Sequence, residues 1–231
     1  MSERPGISGV IFDMDGVLTD SEPLINAAAI AMFKEKGLGV QPSDFLPFVG
    51  AGEDRYIGGV AEKHHFPLDL PTAKRRTYEI YLELVPTRLK AFPGARELVC
   101  ACRQAGLRLA VASSADEVKI VANLRQIGLP PHTWDAVVTG EDVVAKKPAP
   151  DIFLSTATKL GLAPAQCVVV EDAVNGVQAA KAAGMRCVAV AQTFPAAQLQ
   201  SADVVRQDTA TVSLTDLTGA VANKLTPLIG G

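Results

Sequence analysis

The chain is short of cysteine, of aromatic residues, of any excess of one charge and of long apolar runs, and each shortage removes a class of function. Its four cysteines, Cys100, Cys102, Cys167 and Cys187, lack the paired spacing of a zinc site. The first two fall in a helical pattern and the others in apolar runs that read as buried strands, so reduced thiols acting as small hydrophobes are expected. The 22 Lys and Arg stand against 25 Asp and Glu, a net charge of −3. That balance gives no basic face for nucleic acid or anionic lipid. No run approaches the roughly 18 apolar residues that span a bilayer, and Met1-Ser2-Glu3-Arg4-Pro5-Gly6 has none of the apolar character of a secretory signal. A soluble cytoplasmic protein is expected, with neither nucleic acid nor membrane as partner; no segment sets an oligomeric state.

What is present is enough apolar material, 48% of 231 residues, to bury a sizeable core. Short apolar runs recur at residues 9–12, 107–112, 135–138, 167–170 and 186–190. Several are apolar almost throughout, the mark of parallel strands covered by helices on both faces. Between them lie helical stripes that end in glycine. In residues 93–105, Ala95, Leu98, Val99 and Cys102 share one face and Gly106 follows; residues 116–128 and 172–184 repeat the device. Strand and helix in alternation predict a doubly wound, Rossmann-like α/β domain with a parallel sheet.

One interval breaks that rhythm. Between the first and second runs lie far more residues than a crossover helix needs, and residues 24–36, 53–64 and 72–84 each read as amphipathic helix. A helical subdomain is therefore expected at 20–91, inserted into a core formed by 1–19 and 92–231. Its hinges are expected at Ser21-Glu22-Pro23 and at 86–93, where prolines stiffen the connections.

The chemistry-bearing residues fall at strand ends, where open α/β sheets bind ligands. After the first run come Asp13, Met14, Asp15 and Gly16. An ionised Asp13 is a nucleophile, and Asp15, held protonated by its crowded setting, is a general acid. Alone, the two aspartates could equally cap a helix. A carboxylate attacking a phosphate meets like charge, so positive charge must be brought in, and Mg²⁺ with a lysine is the usual supply. Glu171-Asp172 after the fourth run offers hard oxygen ligands, and Lys147 in Lys147-Pro148-Ala149-Pro150-Asp151 offers the ammonium. Ser113 and Ser114 after the second run offer hydroxyl and N–H donors to a phosphate. Each has an ordinary alternative: Asp172 and the serines as N-caps, the lysine pair as solvated surface. Their recurrence at four strand ends favours a common site and a small-molecule phosphate ester as substrate.

These four segments resemble the motifs of the haloacid dehalogenase superfamily: Asp13-Met14-Asp15-Gly16 the first, Ser113 the second, Lys147 the third and Glu171-Asp172 the fourth. Lys147 to Asp151 together with Glu171-Asp172-Ala173 and Gly176 is similar to the phosphatase and β-phosphoglucomutase-like subfamily. The resemblance implies a mobile helical cap at 20–91 and a transient aspartyl-phosphate on Asp13. It implies Mg²⁺ held by Asp13, Asp172 and the main-chain carbonyl of Asp15, with Glu171 supporting through water. Phe48 to Glu53, Val111 to Asp116 and Gly184 to Cys187 are further similar to a plant dehalogenase-type module, which would place a plant or algal chain in the chloroplast stroma.

A mutase of this subfamily is expected to carry a basic residue after Gly50 to grip a second phosphate. Glu53 stands there instead, with Asp116 after the second motif, and close like charges repel. Hydrolysis is expected, with Arg55 as the one substitute grip left to a mutase. A 2-haloacid dehalogenase would need neither Asp15 nor the acidic pair, and a binding module without turnover is the non-enzymatic alternative. His64 and His65 are expected at the surface.

Overall fold

The computed structural model describes residues 6–219, so the outer ends of the expected core, 1–5 and 220–231, lie outside the described residues. Six parallel strands form one sheet in the order β3-β2-β1-β4-β5-β6: β1 Gly9–Phe12, β2 Arg108–Ala112, β3 Ala136–Val138, β4 Cys167–Glu171, β5 Arg186–Val190 and β6 Val204–Arg206. This is the Rossmann-like strand order, and β1 lies at the point where the order reverses. The sequence pattern is explained by the two-sided burial of the central strands. Val10 and Phe12 of β1, with Val168 and Val170 of β4, pack into one apolar layer; Ile11, Cys167 and Val169 pack into the other.

The first layer is closed by α4 (Ala95–Gln104) and α5 (Glu117–Gln126), the second by α6 (Asp151–Leu160) and α7 (Val174–Ala182). The expected stripe of α4 is realised: Ala95, Leu98, Val99 and Cys102 are all buried. At roughly 1.5–3 kcal/mol for each fully buried large apolar side chain, these layers supply most of the driving force for the core. A short α8 (Leu214–Thr218) and strand β6 complete the described chain. No helix among the described residues is long and apolar enough to cross a membrane.

Between β1 and α4 stand α1 (Glu22–Glu35), α2 (Glu53–Lys63) and α3 (Leu70–Arg88), which pack on one another around a third apolar cluster that includes Met32, Phe33, Phe45, Ile57 and Tyr81. They form a helical cap. Pro86 lies inside the last turn of α3 rather than ending it, so the second connection falls at 89–92, later than the expected start at Pro86. The two connections are paired with each other: Thr19 and Ala91 make an antiparallel bridge, Asp20 N donates to Lys90 O at 3.1 Å, and Phe92 N donates to Leu18 O at 3.0 Å. The cap rests on the core through Tyr81 Oη, which donates to Asn123 Oδ1 at 2.7 Å, and through Lys74 with Asp116 at 2.8 Å.

Candidate active site

The site begins where the sheet stops. Asp13 N donates to Val170 O at 2.9 Å, which carries the parallel ladder one residue past β1 and fixes the first carboxylate beside the end of β4. The chain then turns through Gly16 at φ +82°, a conformation that favours glycine. A Cβ on Gly16 would lie 1.9 Å from Asp172 Oδ2, so the missing side chain is also the space that Asp172 occupies. Asp13, Glu171 and Asp172 are all buried and each offers an oxygen within 4.8 Å of the others.

Lys147 enters from the segment after β3. Its Nζ donates to Asp13 Oδ1 at 2.5 Å and to Glu171 Oε1 at 2.6 Å, and lies over the Phe153 ring. Glu171 Oε2 accepts from the N–H groups of Asp172 and Ala173, both at 2.7 Å, so both of its oxygens are engaged. Three buried carboxylates thus face one ammonium. Burial, reinforced by Glu171 and Asp15, pushes Asp13 up to about 7 despite Lys147. Burial also raises Asp172, with Glu171 and Asp13 adding to the effect. An ordinary carboxylate pKa was expected for Asp13; its burial is the reason for the difference. The donor set fits a hard divalent cation, because all three groups are oxygen donors and the excess of two negative charges matches it. Asp13, through the oxygen that Lys147 leaves open, and Asp172, which Thr193 also bonds, are the groups placed to face such an ion.

Ser113 and Ser114 lie on the same cavity as Asp13, Asp15 and Lys147. Ser113 Oγ accepts from Ala115 N at 3.2 Å, and Ser114 Oγ is shielded from solvent with no partner. An unmet buried hydroxyl costs about 1–3 kcal/mol, so a ligand acceptor is the natural complement. The capping alternatives do not hold. The N-cap of α5 is Asp116, that of α7 is Ala173 and that of α1 is Ser21, so neither the serines, Asp172, Asp13 nor Asp15 caps a helix.

Asp15 accepts from Ser21 Oγ on one oxygen and from Lys119 Nζ on the other, at 2.8 Å. Lys119, on α5, is a residue the sequence reading missed. It is 3% exposed and donates also to Glu53 Oε1 of the cap at 3.1 Å. Burial works against its charge, but Asp15 and Glu53 outweigh burial and hold it protonated well above the ordinary lysine range. Glu53 is therefore not the lone anion expected after Gly50, since Lys119 neutralises it. Arg55 does not serve as a substitute grip: it points to the surface, pairs with Glu62 at 2.6 Å and stacks on Phe48. Beside Glu53, Tyr56 Oη donates to Glu22 Oε1 at 2.8 Å and accepts from Asn26 Nδ2 at 3.0 Å, adding Glu22 and Tyr56 to the cavity wall. His64 lies away from the cavity, 3.2 Å from Asp44 Oδ2.

Comparison with known proteins agrees with this geometry. The family model of haloacid dehalogenase-like hydrolases matches residues 7–184. Suppressor of quenching 1, a chloroplastic protein of Arabidopsis thaliana, is 48% identical over 91% of this chain; the match spans only 20% of that protein's length. Hexitol phosphatase B of Escherichia coli is 33% identical over 94% of this chain and 97% of its own. The crystal structure of a CbbY mutant from Rhodobacter sphaeroides in complex with xylulose-(1,5)bisphosphate superposes with a TM-score of 0.84 at 27% identity, covering 92% of this chain and 99% of that one. The chain belongs to the haloacid dehalogenase-like hydrolases, on their phosphatase side.

Proposed function

We propose that the chain is a Mg²⁺-dependent phosphomonoester hydrolase that acts on a small phosphorylated metabolite of the sugar phosphate kind, with residues 20–91 as the cap over its site. The observation that carries this reading is the Asp13 carboxylate held by Lys147 among an excess of buried negative charge, with the unmet Ser114 hydroxyl beside it. The match to a hexitol phosphatase over nearly the whole of both chains supports the substrate class.

In this mechanism Asp13 attacks phosphorus and the bond to the leaving oxygen breaks. Asp15 gives its proton to that oxygen, then takes one from the water that attacks the aspartyl-phosphate, so Asp13 is released and Asp15 is ready again. Ser113, Ser114 and Lys147 hold the phosphoryl oxygens. Asp13 and Asp172, with the Asp15 main-chain carbonyl and with Glu171 behind them, would hold Mg²⁺, which when bound supplies positive charge against the phosphate.

Water rather than a second sugar hydroxyl is the final acceptor. Among the residues lining the cavity the only cations are Lys119 and Lys147, and Lys119 is already shared between two carboxylates, so no charge is left to grip a second phosphate as a mutase requires. Asp13→Asn decides the reading. Phosphate release from sugar and polyol phosphates in Mg²⁺ is expected to fall by about a thousandfold or more with the fold retained, in line with loss of a covalent nucleophile. Retained turnover would remove Asp13 from the mechanism.

A further inference from the structure

Asp15 and Glu53 come from different bodies, one from the core and one from the cap, and Lys119 bonds both. The lysine is buried and its two contacts are short, so its ammonium has no alternative solvation. Glu53 is 6% exposed and uses one oxygen on Lys119. Its other oxygen, Oε2, is buried, has no partner and belongs to a side chain that lines the cavity. A buried carboxylate oxygen without a donor is a strong acceptor waiting for one. The cap side of the same cavity also carries Glu22, Ile25 and Tyr56, and both lysines of its lining are already paired with carboxylates. A second phosphate or a carboxylate on the leaving group would meet Glu53 and Glu22, whereas an uncharged hydroxyl would donate to Glu53.

We propose that Asp15, Lys119 and Glu53 form a positioning chain that reads the leaving group: a hydroxyl of a neutral polyol or sugar donates to Glu53 Oε2, Glu53 holds Lys119, and Lys119 holds Asp15 toward the oxygen it must protonate. Lys119 and Glu53 are positioning residues that act through Asp15. The inference rests on the phosphatase reading and narrows it to monophosphates whose leaving alcohol is hydroxylated and uncharged.

The experiment compares Lys119→Met, Lys119→Arg, Glu53→Gln and the Lys119→Met/Glu53→Gln double variant on three esters in Mg²⁺: a hexitol monophosphate, a ketose bisphosphate and p-nitrophenyl phosphate. The last has no hydroxyl to offer and a leaving group that needs little protonation. Wild-type protein is expected to prefer the hexitol monophosphate over the bisphosphate. In Glu53→Gln and in Lys119→Met the ratio of kcat/KM for the hexitol ester to that for the aryl ester is expected to fall by about ten- to a hundredfold, the range for an unmet buried hydrogen bond in a polar site. The double variant should lose little more than either single one, and Lys119→Arg should recover part of the ratio. Equal losses on both esters, or losses that add in the double variant, would make the chain a structural ion pair only and overturn the inference. If Lys119→Met does not fold, the isosteric Glu53→Gln ratio decides alone. Wild-type protein that releases phosphate from none of the esters overturns the phosphatase reading and this inference with it; turnover with an unchanged ratio overturns the inference alone.

Discussion

The carboxylate of Glu171 fills the space that a side chain at Gly176 would need: a Cβ there would lie 1.7 Å from Glu171 Oε1. The oxygen is not free to move, since it accepts from Lys147, and its partner oxygen accepts from two backbone N–H groups. A glycine in α7 is thus set by the site rather than by the helix.

Gly176→Ala should therefore behave against helix propensity. Alanine for glycine in a helix ordinarily gains about 1 kcal/mol, whereas overpacking costs about 1–3 kcal/mol. We expect a net loss of stability in denaturant unfolding and a drop in turnover of at least about tenfold, because displacing Glu171 releases Lys147 from Asp13. A variant that is more stable and fully active would show that Glu171 can move at no cost.

The crowded carboxylates predict a stability response to Mg²⁺. A ligand present at a hundred times its Kd stabilises the folded state by about 2.7 kcal/mol, which for a chain of this size is a rise of roughly 5–10 °C in Tm. Asp172→Asn should remove most of that rise. In metal-free buffer the same substitution should raise Tm, because it takes one like charge out of a buried cluster. Thermal melts with and without Mg²⁺ check both signs; a wild-type Tm indifferent to Mg²⁺ would count against metal binding at these residues.

Asp44 gives the cap its own pH dependence. The Gln41 N–H, Lys63 and His64 bring its carboxyl from 3.8 down to about 2. Because the folded value lies below the unfolded one, the stabilisation is present above pH 4 and is lost as pH falls from there toward 2. Asp44→Asn should lower Tm at pH 7, and its difference from wild type should narrow below pH 4. A gap of constant size across that range would mean that the carboxylate's charge is not what matters.

The central sheet is legible in the sequence because strand positions buried on both faces are apolar; β1 shows this along its whole length, β2 over Leu109 to Ala112 and β4 over Cys167 to Val170. Strand β6 escapes the same reading. It is three residues long, lies at the sheet edge and is only half-buried, so it needs no apolar run. Three of the four motifs are legible because they sit at a strand end, Asp13 directly after β1, Ser113 directly after β2 and Glu171-Asp172 at the end of β4, whereas Lys147 comes nine residues after β3 and is marked by its Lys-Pro-Ala-Pro-Asp setting instead. Lys119 is not legible, because a lysine on a helix ordinarily reads as solvated surface. Its signal was positional: Lys119 and Asn123, four residues apart, are both buried beside the apolar stripe of Ile120 and Leu124, which marks a polar strip facing another body. The cap supplied that body, and no local pattern in α5 could say which of its residues would arrive.

The paired connections at 18–20 and 90–92 have a mechanical meaning. Two strands bonded to each other bend readily across their common plane but resist sliding along it, since sliding breaks every bond between them at once. The cap is in effect hung on a strap hinge. Asp15 lies four residues before the Thr19 bridge and is tied to Ser21 just beyond it, so the proposed proton donor sits beside the pin, where a swing of the cap would turn into a small rotation of one carboxylate.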